Sequence, residues 1–516
     1  MLNILLILFS LAAGFLFWWA TALHGIGIHS DSVLYLWVAE SLSKGLGFGV
    51  TDAFGQFAPV NLWPPLYPLL VCVCLWLSHL INPQVSAEQV ATVLGILLSG
   101  ASTWVFGRVV AKVSNRSLLF VSFGIVFLLS SPIFWDTYLY AMSEPLFIFL
   151  GLLALYFFLD YLRTYSNTTL FWAGLMAGLC LLTRYAGIYL IPVMGISIFF
   201  VSNRSLKRNF FAFSHITTLG LFPILLWGLR NYSIPGMPAR QSLTFSPITS
   251  ADWSSLWASL TDWFSPTIKI FNIFPLGLGV VLAFGLLLGS LVFYYKKRVY
   301  GNNESQEKWW KILSLCILSY SFFLISSRLF FDPSIHLEES RMFFPIYLGL
   351  LTLTLSLLSN AEEIKYQVLR KYLFYAAFGT VIIFAVMYTS INFEKTRASL
   401  ADSRENGLAL NSVGFKNKAI WPALGELKLS TTNPIYFTDN VETLYWINKT
   451  PASILGDINP DLATSFQSYA AQHDVIIVLI NHPETSGAMI KNLPSAQKVY
   501  QGNDGAIFIL HNTPAN

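Results

Sequence analysis

The sequence predicts a polytopic α-helical membrane protein carrying a small α/β domain at its C-terminal end. Three observations carry this. The chain of 516 residues is 55% hydrophobic and only 11% charged, against roughly 25% charged in soluble proteins. Apolar runs long enough to span a bilayer recur from Met1 to about Ile391, and no other class of protein needs so many. Past residue 392 the pattern changes to short apolar runs separated by polar, helix-compatible stretches. The net charge of +4 is spread thinly, so nothing marks a nucleic-acid partner. Cys72, Cys74, Cys180 and Cys316 lie inside apolar runs and read as small core residues, not as a disulfide framework or zinc site.

The first apolar run, 1–22, ends in Ala20-Thr21-Ala22, a sequence like a signal-peptidase site. No Lys or Arg precedes it, which favours a retained first transmembrane helix. Further apolar segments lie near 65–82, 88–111, 117–135, 143–162, 168–182, 185–201, 211–229, 273–295, 310–330, 341–358 and 370–391. Lys and Arg concentrate in the connections near 108–116, 160–169, 202–210, 296–311 and 359–371. Those basic connections fall on one side only if one early segment does not cross, and 65–82, which opens with two prolines, is the candidate. About eleven crossings are therefore expected, with a cytoplasmic N-terminus. On that topology Asp31, Glu40, Asp52, Asp136, Glu144, Arg184, Glu338, Glu339 and Arg341 converge on the outer face, as does the long loop 230–272. No inverted repeat of the transporter kind is visible.

The first outer loop, 24–82, holds the most informative stretch. After His29, the residues Val33, Leu34, Trp37, Val38, Ser41 and Leu42 form one stripe of a short amphipathic helix that Gly45 closes. Such a helix suits the membrane interface. Asp31 at its start is either a helix cap or a catalytic base. Glu144, in YAMSEPLFIF, opens an apolar helix, where an acid both stabilises the helix dipole and can serve chemistry. Ser143 before it is a candidate cap. Asp136, eight residues earlier, is the candidate metal ligand, able to share a divalent cation with Glu144. The outer-face cations are mostly arginines: Arg184, Arg230, Arg240, Arg328 and Arg341. A guanidinium fork suits phosphate oxygens. Arg184, in LLTRYAGIYL, sits at a two-helix junction with almost no loop, and either holds a lipid phosphate or snorkels to anchor the helix end. Arg341, in HLEESRMFFPIY, has the same phosphate role open to it, or pairs with Glu338. His24, His29 and His336 face outward without a HExxH-type pair.

In the tail, 392–516, PIYFTD and DVIIVLI read as buried strands, VETLYWIN and ATSFQSYAAQH as helices, and KVYQGNDGAIFIL as a hairpin turning at Asn503-Asp504-Gly505. No GxGxxG or P-loop occurs there.

Asp31 with Tyr35 and Ala39, a glycine-rich loop, PPLYPLL, SEP opening a helix, LTRYAG and SRMFFPIY follow one another in an order that resembles the GT-C membrane glycosyltransferases of the protein mannosyltransferase and aminoarabinose transferase type. The resemblance covers about residues 1–390; the tail resembles the family only as an extracytoplasmic α/β appendage. It implies that Asp31 deprotonates or orients the acceptor, and that Glu144 shares its cavity. It places Tyr35, Pro65, Tyr67 and Glu338 around the substrate and basic residues on the donor phosphate, a role for which Arg184 and Arg341 stand in here. The chain departs from the family in having Trp63 where a Lys or His precedes the prolines, and Ser32 where a second acid follows the base. The resemblance further implies a polyprenyl-phosphate sugar as donor, a glycan, lipid or protein acceptor, and a multi-pass protein of a bacterial inner membrane. A lipid-linked sugar flippase is the alternative, and would spread polar residues along the helices at mid-membrane.

Overall fold

The computed structural model describes residues 1–61, 63–234, 245–254, 304–330, 340–361, 389–429, 431–455, 460–480, 493 and 495–511. Glu338, Glu339, His336, Arg240, most of the 230–272 loop and the apolar runs near 273–295 and 370–391 lie outside them.

Helices α1 (Leu2–Thr21), α4 (Ala87–Val113), α7 (Glu144–Thr164), α10 (Leu206–Tyr232) and α11 (Glu304–Phe330) include the five described segments long and apolar enough to cross a bilayer; a bent pair, α5 (Leu118–Leu129) and α6 (Pro132–Tyr138), makes a sixth if taken as one span. The chain is an integral membrane protein. Shorter apolar helices are α2 (Ser30–Ser43), α3 (Leu66–His79), α8 (Asn167–Thr183), α9 (Leu190–Val201) and α12 (Phe344–Ala361). Glycines bring the helices close. Gly100 faces the Ser10 carbonyl across α1 and α4 and leaves no room for a side chain, and Ser10 Oγ donates to the Gly100 carbonyl at 2.8 Å. Gly178 does the same against Leu219 and Gly220 between α8 and α10. Small residues take this part because lipid offers helices no hydrophobic drive to associate.

Three local features place the site. First, α5 and α6 meet at 63°. Pro132 opens α6, and Trp135 Nε1 donates across the bend to the Leu129 carbonyl at 2.8 Å. Second, the segment before α2 is bridged on both sides: Gly27 pairs with Tyr140, just ahead of α7, and Ile28 with Ala409. Third, α8 stops at Arg184, whose backbone is extended (φ −147°, ψ 138°) before a 3₁₀ turn at Tyr185–Tyr189. Gly187 folds that turn onto the Cys180 and Leu181 backbone, where any Cβ would clash.

Helix α2 departs from the interfacial, one-faced helix expected. Tyr35, Leu36 and Ala39, off the stripe, are buried along with Val33, Trp37 and Val38. The cause lies later in the chain. A helix at 389–406, here α13, runs straight through the domain boundary expected at 391/392 and packs on the bundle. Thr396 Oγ1 donates to the Ser130 carbonyl and an Arg404 nitrogen to the Trp19 carbonyl, both at 2.8 Å. Helix α14 (Val441–Asn448) then covers α2, with Tyr445 stacked on Trp37 at 3.6 Å and 6°.

The remaining C-terminal residues form a five-stranded mixed sheet of order β4-β3-β5-β7-β6, made by β3 (Ile435–Thr438), β4 (Ser453–Ile454), β5 (Val475–Leu479), β6 (Gln497–Gly502) and β7 (Gly505–Leu510). Strands β3 and β5 are parallel neighbours, and β5, β7 and β6 run antiparallel in turn. Both faces are covered: Phe437, Ile477 and Phe508 pack beneath Phe466, while Tyr436, Ile476 and Ile507 pack against Leu444 and Ile420. Two buried faces explain why β5 and β7 are unbroken apolar runs rather than alternating ones. A hairpin of β1 (Gly49–Thr51) and β2 (Phe57–Pro59), between α2 and α3, reaches this sheet at its tip, Phe54, which packs on Phe437 and Tyr469.

Candidate active site

Glu144 is the centre of a charged cluster at one end of the bundle. It is the first residue of α7, where the helix dipole favours a carboxylate, and only 4% of it is exposed. Its Oε1 meets Arg184 Nη1 at 2.7 Å and Arg341 Nη1 at 3.9 Å. Its Oε2 is buried and has no hydrogen-bond partner among the described residues. One carboxylate thus sits between two guanidinium groups and keeps an acceptor in reserve.

Ser143 does not cap α7 with its side chain. Its hydroxyl instead accepts from Arg184 Nη1 at 3.2 Å and lies 3.2 Å from the Tyr35 hydroxyl. Tyr35, on α2, is packed by Trp63 at 4.9 Å and by the edge of Tyr67 at 5.3 Å. Pro65 immediately precedes α3 and so sets where Tyr67 stands. Burial pushes the Tyr35 hydroxyl well above its usual range, Arg184 pulling it back only in part. The phenol is therefore a donor, not a base.

Asp31 lies one turn earlier on α2 than Tyr35 and is close enough to act electrostatically on both Tyr35 and Arg184. It is not the helix cap. His29 takes the N-cap position, and its backbone N–H donates to Ser32 Oγ at 3.1 Å in a capping box. The ring of His29 stacks on Tyr140 at 4.4 Å.

The outer-face residues of the sequence reading sort into two groups. Asp31, Glu144, Arg184, Arg341, Tyr35 and Tyr67 meet here. Glu40 accepts from the Tyr445 hydroxyl at 3.1 Å, and Asp52 accepts from the Phe54 and Gln56 amides of the β1–β2 turn. Arg230 donates to the Phe48 and Val60 carbonyls at 3.0 and 2.9 Å, and a single Arg328 nitrogen, Nη2, donates to both Asp252 carboxylate oxygens at 3.1 and 3.3 Å. Asp136 lies on α6, within electrostatic reach of Tyr140, which is also within reach of Arg341. Among the described residues no group of three His, Cys, Asp or Glu side chains assembles to hold a metal. Two guanidinium groups on Glu144 also make it a poor partner for a cation.

The sequence pattern did not single out Tyr320. Its hydroxyl donates to the Met342 carbonyl at 2.8 Å, holding the turn that carries Arg341, and its ring packs edge-on against Tyr189 at 5.1 Å. A tyrosine inside an apolar helix gives no signal by itself, since it fits a core as well as a site.

No family model matches the chain, and neither does any curated protein. Solved structures do. ArnT from Cupriavidus metallidurans, in its apo state, superposes with a TM-score of 0.55 at 12% identity, covering 98% of each chain. The archaeal oligosaccharyltransferase AglB from Archaeoglobus fulgidus, with an inhibitory peptide and a dolichol-phosphate, gives 0.49 at 11% over 98% of this chain and 74% of its own. The arabinofuranosyltransferase AftD from Mycobacteria gives 0.49 at 15% over 99% of this chain and 40% of its own. At such identity the likeness to ArnT shows that the two chains share a fold.

Proposed function

We propose that this chain puts the GT-C fold to glycosyl transfer, moving a sugar from a polyprenyl-phosphate donor to an acceptor hydroxyl at the outer face of a bacterial inner membrane. The observation that carries the reading is the buried Glu144 held between Arg184 and Arg341, with Asp31 in electrostatic reach at the same bundle end.

The chemistry follows from the charges. The Asp31 carboxylate takes the proton of the acceptor hydroxyl as its oxygen attacks the anomeric carbon. The bond from that carbon to the phosphate oxygen breaks, and its electron pair leaves with the polyprenyl phosphate, inverting the anomeric centre. Negative charge therefore grows on the phosphate, where a positioned guanidinium stabilises it most. Glu144 and its two arginines together carry one net positive charge, suited to a donor with a single phosphate. Glu144 Oε2, without a hydrogen-bond partner among the described residues, and the Tyr35 hydroxyl beside Ser143 are placed to orient sugar or acceptor hydroxyls. A divalent cation enters no step of this scheme.

The test uses the full chain in lipid nanodiscs with a radiolabelled polyprenyl-phosphate sugar and membrane extract as acceptor source. Asp31→Asn should lower transfer by about 10²–10⁴-fold, the range for loss of a general base, while donor binding stays intact. Wild-type transfer by Asp31→Asn would overturn the reading. Movement of the lipid across the bilayer without any new glycoside would favour a flippase instead.

A further inference from the structure

Asn411 lies far along the chain from the charged cluster, yet its side chain ties the segment before α2 to both α4 and α14. The residue is 1% exposed. Its Nδ2 donates to the Ile26 carbonyl at 2.8 Å and to Glu88 Oε1, at the start of α4, at 2.7 Å. Its Oδ1 accepts from Trp446 Nε1 on α14 at 3.2 Å. All three bonds are to partners distant in sequence, and both donors and the acceptor of the amide are engaged.

Around it, residues 26–28 are held from two directions. The Gly27 amide donates to the Leu139 carbonyl at 2.8 Å and the Ala141 amide to the Gly27 carbonyl at 2.9 Å, which ties this segment to the one leading into Ser143 and Glu144. On the other side the Leu410 amide donates to the Ile28 carbonyl at 3.0 Å. A Cβ at Gly27 would strike Tyr140 on one flank and Leu408 on the other. The backbone three residues before Asp31 is thus the middle of a three-stranded bridge, one edge of which leads to Glu144 and the other to Asn411.

We propose that Asn411 is a positioning residue for Asp31: together with α14 it sets the height of α2 against α7, and so the placement of the Asp31 carboxylate relative to Glu144 and Arg184. The proposal rests on the glycosyl-transfer reading for its kinetic consequence but not for its geometry. An amide suits the task because it presents donors and an acceptor at once in a buried space, where an unmatched polar group is costly. Asn411→Asp keeps the shape, removes both donors and sets a second carboxylate against Glu88. Pairing it with Glu88→Gln returns one donor to that contact from the other side.

Two readouts are taken on the full chain in nanodiscs. In hydrogen exchange, Asn411→Asp should release the amides of the 26–36 and 139–142 segments at least 10-fold faster, leaving α8 and the C-terminal sheet at wild-type rates. In transfer assays it should lower kcat about 10-fold or more with donor KM within twofold, and the added Glu88→Gln should recover at least half of both effects. Unchanged exchange at 26–36 overturns the proposal. So does acceleration spread evenly over the chain, or a double variant no better than the single one, because either marks a merely structural residue. If the wild-type chain transfers no sugar at all, the functional reading fails by itself, and the exchange pattern and its rescue decide the role of Asn411.

Discussion

Tyr35 and Arg184 show how much of the site rests on single atoms. Tyr35→Phe keeps the ring between Trp63 and Tyr67 and loses only the hydroxyl that meets Ser143. A fall in kcat of about 5- to 30-fold is expected, about 1–2 kcal/mol for one hydrogen bond of the reacting complex. Since burial raises the Tyr35 hydroxyl above its usual range, the group stays protonated through pH 9. The pH–rate profile of Tyr35→Phe should therefore run parallel to wild type, and a lost alkaline limb would count against this assignment. Arg184 meets Glu144 and Ser143 through one nitrogen, Nη1, so Arg184→Lys can keep both contacts and the charge but gives up the planar fork that would take the donor phosphate. Donor KM should rise about 10-fold with kcat less affected, measured by initial rates over a donor series. Asp31, Glu144 and Arg184 were legible in the sequence because charge is scarce in a chain with 11% charged residues. Tyr320 and Asn411 were not, since their roles come only from what the fold sets beside them.

At the scale of elements, the long apolar helices and the strands β3 and β5 follow from periodicity and run length alone. What the sequence left open is everything decided by a distant partner. Helix α2 reads as an interfacial helix because its cover, α14, comes some 400 residues later; only the assembled structure reveals the Trp37–Tyr445 stack that buries it. The continuous helix at 389–406 was hidden for the same reason, as a polar stretch after an apolar run looks like a linker until its contacts with Ser130 and Trp19 are seen. Arg230 belongs to this scale. In the sequence it is one of five arginines expected on the outer face; in the structure it holds the Phe48 and Val60 carbonyls at the two legs of the β1–β2 hairpin and lies over the Trp227 ring at 4.8 Å. Arg230→Ala should free that hairpin, at a cost of about 1–3 kcal/mol for the lost charge-assisted bonds. Limited proteolysis should then cut near residues 52–56 several times faster than in wild type, and equal cutting would assign the clamp to other contacts.

The whole molecule has two chemically distinct ends, and its topology can be argued from them. Glu144 opens α7 in the charged cluster, while Asp160, about 24 Å further along the same helix at 1.5 Å per residue, pairs with Lys112 at the far end of α4. Helix α4 begins at the cluster end, where Glu88 meets Asn411. Helix α3 also begins there, with Tyr67 against Tyr35. The connection 80–86 between the two is folded into turns, with the Asn82 amide donating to the Ser78 carbonyl at 2.8 Å and the Val85 amide to the Asn82 carbonyl at 3.3 Å. So compact a connection has little length to carry the chain back across a bilayer. With 14 residues, α3 is itself about 21 Å long, short of a hydrocarbon core of about 30 Å. These dimensions favour α3 entering and leaving the membrane on one side, as the distribution of Lys and Arg requires. A reporter active only outside the cytoplasm, inserted at Asn82, should therefore be as active as one inserted in the β1–β2 turn at Gly55. One placed at Asn115, in the turn after α4, should be silent. Activity at Asn115 with silence at Asn82 would turn the cluster toward the cytoplasm and leave a donor in the outer leaflet out of its reach.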